Sequence, residues 1–218
     1  MAWNLLILAL LIVLAYLFLS LFVRSLRSRN LIGRVLGATV SVALGAAAVA
    51  ALGLGLAGLW RTEAPRNRAI ADVQVSATPE QVARGRELAQ SCVPCHSYDG
   101  TLVLNGGQEN LAAAWGPLNE VHGANLTPGG RLLRWKDGAL VRALREGVDA
   151  DGVPLMVHPA HQYYGMSDAD AEALVAYLRS QPALRHDQPR RSLSFVTLLN
   201  VALGRLGTAE QPSLPASQ

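Results

Sequence analysis

Cysteine is almost missing from this 218-residue chain, and the two that occur, Cys92 and Cys95, sit three positions apart. There is no second Cys-x-x-Cys and no His-x-x-x-His pair, so the four close ligands of a structural zinc site are not on offer. No Ser-His-Asp arrangement, phosphate loop or Rossmann fingerprint is present, and the glycines of residues 100–130 do not follow a strand as such motifs require. Acidic residues are absent from the first 60 positions, and charged residues make up only 16% of the chain. These absences remove most enzyme classes and leave two positive features, a pentapeptide and two apolar runs.

The pentapeptide is Cys92-Val93-Pro94-Cys95-His96. Two thiols at this spacing reach the two vinyl groups of one porphyrin, and the adjacent imidazole can ligate its iron from one face, so the motif reads as the attachment site of one covalent haem c. A disulfide or a thioredoxin-like dithiol would share the Cys-x-x-Cys. Redox dithiol chemistry, however, wants a strand, the motif and then a helix. Here a helical pattern precedes the motif and a glycine-rich loop follows.

The apolar runs are uncharged from Trp3 to Val23 and from Val35 to Trp60. At about 1.5 Å per residue either can cross a hydrocarbon core of about 30 Å, and the first is longer than the core of a cleaved signal peptide. Residues 1–60 therefore read as a two-helix transmembrane anchor. Arg24, Arg27, Arg29 and Arg34 lie between the runs. Positive loops stay in the cytoplasm, which places the N-terminus and everything after Trp60 on the periplasmic side of the inner membrane. Ala43, Ala47, Ala51 and Gly55 form a row at i, i+4 spacing that would admit another helix.

The net charge of +3 conceals an uneven distribution. Residues 70–183 hold eight Lys or Arg against thirteen Asp or Glu, a balance of −5, which argues against a nucleic-acid partner. Residues 61–77 read as a linker with Pro65. Thr78-Pro79-Glu80-Gln81 reads as a capping box with proline at the first helical position, opening a helix that delivers Cys92. Asp137 or Lys136 precedes a second helix that runs through Ala139, Leu140, Ala143 and Leu144 to a stop at Gly147. Ser167 caps a last helix whose Ala171, Leu174, Val175 and Leu178 line one face.

With that order of elements, the chain resembles a class I c-type cytochrome, mono-haem and membrane-anchored, of the kind found as domains or subunits of bacterial membrane redox complexes and dehydrogenases. The resemblance is carried by Gly85-Arg86-Glu87-Leu88 ahead of the motif, and by Gly116-Pro117-Leu118, Asn125-Leu126-Thr127-Pro128, Ala143 to Val148, and Met166-Ser167-Asp168 to Arg179. It covers residues 78–183. It implies an all-α fold of helices around one haem with long loops. By the same resemblance Gly85 crosses the last helix near Tyr177, Pro117 offers its carbonyl to the free ring nitrogen of His96, and Trp135 lies near a haem propionate.

His96 as the first axial ligand follows from the motif. For the second, the family places a Met before a Pro shortly ahead of the last helix, where this chain has His158-Pro159. His158 is therefore placed first, with Met156 and Met166 as alternatives and His161 and His122 as further candidates. Residues 184–218 form a C-terminal tail. Its apolar stretch Ser192–Leu203 is too short to span and reads as an interfacial or docking helix, or as a tail packed on its own domain, and Pro212 to Gln218 are expected to be disordered.

The expected function is electron transfer, with no catalytic activity of the chain's own, as a subunit of or tethered shuttle for a respiratory or photosynthetic membrane redox complex. Its partners would be the membrane, other subunits of that complex, and a redox donor and acceptor. The alternative is a haem enzyme or gas sensor whose distal site is open or labile.

Overall fold

The computed structural model describes residues 2–213, so the expectation for the end of the tail falls outside the described residues from position 214 onward. Among the described residues the chain is mostly helical, with no strand and two isolated bridges, Glu120 with Ser192 and Val148 with Pro154. It divides into two compact units, each built from two stretches of chain. Among the described residues one comprises 2–61 and 193–206, the other 62–192 and 207–213.

The first unit contains α1, Ala2–Leu26, and most of α2, Leu31–Glu63, both long and apolar enough to cross a membrane by length and composition. Ser41, Ala48, Gly55 and Gly58 of α2 are covered, whereas Ala43 and Ala47 of the small-residue row are exposed. The apolar stretch of the tail supplies the cover at one end. It forms α8, Phe195–Ala202, capped by the Ser194 hydroxyl, which accepts from the Thr197 amide. A side chain at Gly58 would collide with the Leu198 carbonyl, and one at Gly55 would meet the Phe195 ring. Asn4, buried in α1, donates to the Leu193 carbonyl at 2.8 Å, and Arg61 donates to the carbonyls of Val201 and Ala202 at 2.9 and 3.0 Å. Those two carbonyls belong to the end of α8, where helical partners run out and a cation is favourable.

In the second unit α3, Pro79–Leu88, starts with the reciprocal Thr78–Gln81 box and proline at the first turn. Its Gly85 lies against the Ala173 carbonyl and the Tyr177 Cβ of α7, Asp168–Ser180, the close crossing expected there. The crossing encloses a core of Ala89, Leu104, Leu140, Leu174, Val175, Tyr177 and Leu178. Helix α5, Asp137–Glu146, ends at Gly147, whose φ of 66° is the left-handed conformation of a helix stop. Lys136 occupies the cap position of α5 without a side-chain bond. The Asp137 carboxylate instead accepts from the Val75 amide at 3.0 Å and from Arg179 at 3.0 and 2.9 Å.

The segment read as a linker is fastened to this unit. The Arg66 amide donates to the Gly152 carbonyl, and Arg68 pairs with Glu146 at 3.0 Å and with Glu210 at 2.5 Å. Arg142 donates to the Arg68 carbonyl at 2.8 Å. Residues 207–213 return here as well, through the amides of Ala209 and Gln211.

Candidate haem site

Cys92, Cys95 and His96 are presented by a 3-10 turn, Ala89–Cys92, that passes directly into the four-residue helix α4, Val93–His96. Pro94 in the first turn of α4 costs no hydrogen bond, because the amides there have no helical partner. The two thiols are unbridged and partly buried, and burial pushes the Cys92 thiol up to about 11. It is therefore held protonated.

Two glycine-containing loops close around the motif. The Gly106 amide donates to the His96 carbonyl at 2.8 Å, and the Gly107 amide to the Gly123 carbonyl at 3.0 Å. Gly107 and Gly123 both lie against the Cys95 carbonyl, where any side chain would clash. This approach brings the Ala124 carbonyl to 2.8 Å from His96 Nδ1. The Nδ1–H donates to it and leaves Nε2 as the unprotonated nitrogen, the arrangement that fixes and strengthens an imidazole ligand. His96 is half-buried, and desolvation lowers its pKa, which favours the neutral form a metal requires.

The expected partner of His96 was the Pro117 carbonyl, and here the structure differs. Pro117 is exposed on a turn between Gly116, φ 96°, and Leu118, φ 68°. Asn119 ties that turn back to the carbonyls of Trp115 and Gly116. Ala124 is held in place by the next residue: Asn125 Oδ1 accepts from the Thr127 amide and hydroxyl at 2.9 and 2.7 Å, and its Nδ2 donates to the Leu184 carbonyl. An Asx turn of this kind is visible as Asn-x-Thr in the sequence, and it is the signal that points to Ala124. Trp135 is half-buried against the core, and its carbonyl accepts from Arg179.

His158 lies on the loop between α5 and α7. Burial pushes its imidazole down to about 4, and the nearness of His96 adds to the shift. Its Nδ1 is buried without a hydrogen-bond partner. Of the alternatives, Met156 is buried, Met166 is half-buried at the start of α7, and His161 is exposed. Met166 gives its carbonyl to Arg145. His122 Nε2 faces Glu120 at 3.3 Å.

Two free thiols, a half-buried imidazole with Nδ1 satisfied and Nε2 left for a metal, and a second half-buried imidazole near it make a donor set that fits a covalent haem c. The sequence of residues 82–182 matches the cytochrome c family. This stretch is a cytochrome c domain. Haem c is the family's covalent cofactor, and Cys92, Cys95 and His96 carry its attachment spacing. The chain is 34% identical over 117 residues to a nicotinate dehydrogenase subunit of Pseudomonas putida, covering 51% of this chain and 10% of that protein. It is 27% identical over 137 residues to the fructose dehydrogenase cytochrome subunit of Gluconobacter japonicus, covering 59% of this chain and 27% of that protein. The chain thus spans about a tenth and about a quarter of the lengths of these two relatives.

Proposed function

We propose that this chain is a membrane-anchored electron-transfer subunit that serves a partner dehydrogenase or another membrane redox complex. Its cytochrome c domain would stand on the periplasmic side. The observation that carries the reading is the pair of half-buried imidazoles, His96 and His158, near enough for the charge of one to bear on the other. Haem c, when bound through Cys92 and Cys95, supplies a one-electron couple. His96 and His158 would both hold its iron, and with the iron held from the protein on both sides the group would pass an electron rather than do bond chemistry on a substrate.

The chain's own residues then have three tasks. Ala124 holds His96 through Nδ1. The loops around Gly107 and Gly123 pack against the Cys95 carbonyl and brace the motif from that side. Helices α1 and α2 hold the domain at a membrane, and the arginines between them support the orientation. The dehydrogenase partner is supported by the names of the two relatives, one a dehydrogenase subunit and the other a dehydrogenase's cytochrome subunit.

Axial ligation decides the energetics, because methionine raises the potential of a haem and a second imidazole holds it lower. The oxidised holoprotein should be low-spin, should lack the far-red band that marks a thioether on ferric haem, and should bind carbon monoxide slowly when reduced. In His158→Met the band should appear and the potential should rise by on the order of 0.1 V, within the roughly 0.8 V that axial ligands span. A thioether band in the unaltered protein would sink the His158 assignment, and rapid, complete carbon monoxide binding would count against a pure carrier.

A further inference from the structure

The two histidines differ in what holds them. His96 is oriented by the hydrogen bond from Nδ1 to Ala124, whereas His158 Nδ1 is buried with no acceptor. What the structure shows at the His158 ring is packing. Among the described residues one aromatic ring lies against it, that of Tyr163 in the short helix α6, Ala160–Tyr163, with centroids 5.8 Å apart and planes tilted by 35°. Tyr163 is itself fixed at the far end. Its side chain is buried, and its hydroxyl donates to Ser91 Oγ at 2.9 Å. Ser91 Oγ in turn donates to the Leu88 carbonyl at 2.8 Å, at the end of α3. Ser91 is the residue before Cys92, so this one tyrosine bridges the loop carrying His158 and the turn carrying the attachment motif.

We infer that Tyr163 is the positioning residue of the distal ligand: its ring sets the plane of the His158 imidazole, and its hydroxyl, anchored on Ser91, holds that ring at a fixed place relative to Cys92. The inference rests on the reading of His158 as the sixth ligand. Tyr163 would then be what holds the distal imidazole against displacement by an external ligand.

The test uses the oxidised, haem-loaded full chain in detergent, with the EPR g-values and the rate of cyanide capture as readouts and Tm as a control. Tyr163→Phe keeps the ring and loses the bond to Ser91. It should retain the low-spin signal and capture cyanide about fivefold faster, as expected for one hydrogen bond. Tyr163→Leu also loses the aromatic face. It should shift the g-values, which report the ring planes, and capture cyanide at least about tenfold faster. A Tyr163→Leu protein with lowered Tm but unaltered g-values and cyanide rate overturns the positioning role. His158→Ala separates the two readings. If it leaves the low-spin signal intact, His158 is not the ligand and both fall. If it abolishes the signal while Tyr163→Leu changes nothing, only the role of Tyr163 falls.

Discussion

A backbone carbonyl cannot be replaced by mutagenesis, yet the approach of Ala124 to His96 can be tested through the glycine beside it. Gly123 has no room for a Cβ against the Cys95 carbonyl, and Gly107 faces the same atom from the other loop. Gly123→Ala should push the Ala124 carbonyl away from His96 Nδ1 and cost about 1–3 kcal/mol or more in strain. The expected result is a protein that retains little covalent haem, measured by haem staining after denaturing electrophoresis. Gly165, with open space where its Cβ would be and an ordinary backbone, is the control. Gly165→Ala should leave stability unchanged within about 0.5 kcal/mol and haem loading intact. If Gly123→Ala loads haem as well as Gly165→Ala does, the close approach has no part in building the site.

Among the elements, what could be read from sequence was what depends on near neighbours. The Thr78–Gln81 box, the Ser167 cap and the Gly147 stop each act within four residues, and each is found where the sequence places it. Asp137 shows where such reading ends. It sits in the first turn of α5, but its carboxylate serves residues 62 and 42 positions away, the Val75 amide and Arg179. Nothing local marks those partners. The same limit applies at the site: Cys92 to His96 is legible as a motif, whereas the choice of Ala124 over Pro117 depends on how two loops meet. Tyr163 and Ser91, 72 residues apart, carry no local signal of their bond for the same reason. Asp137→Ala removes charge-assisted hydrogen bonds from a largely buried carboxylate and should destabilise the haem unit by about 2 kcal/mol. Thermal unfolding of the holoprotein reads this directly, and an unchanged Tm would mean that the 62–76 segment and α7 hold without it.

At the scale of the whole molecule, the tail departs furthest from its local pattern. Residues 193–206 count with α1 and α2 in one unit, and residues 207–213 rejoin the other. An eight-residue apolar helix is too short to span a membrane, and its burial comes from glycines of α2 some 140 positions earlier. The orientation of the whole chain rests on a different asymmetry, in which Arg24, Arg27, Arg29 and Arg34 lie between the two long helices and no acidic residue offsets them. If those cations stay in the cytoplasm, a cysteine introduced in the connection should be hidden from an impermeant thiol reagent applied outside intact spheroplasts, and one on the haem unit should react. Ser28→Cys serves the first purpose, since it spares the arginines, and Glu109→Cys, on an exposed loop, serves the second. Lysis should then expose Ser28→Cys, proving that shielding by the membrane, rather than by the fold, had protected it. Labelling of Ser28→Cys but not Glu109→Cys in intact spheroplasts would reverse the topology and remove the haem unit from any periplasmic donor.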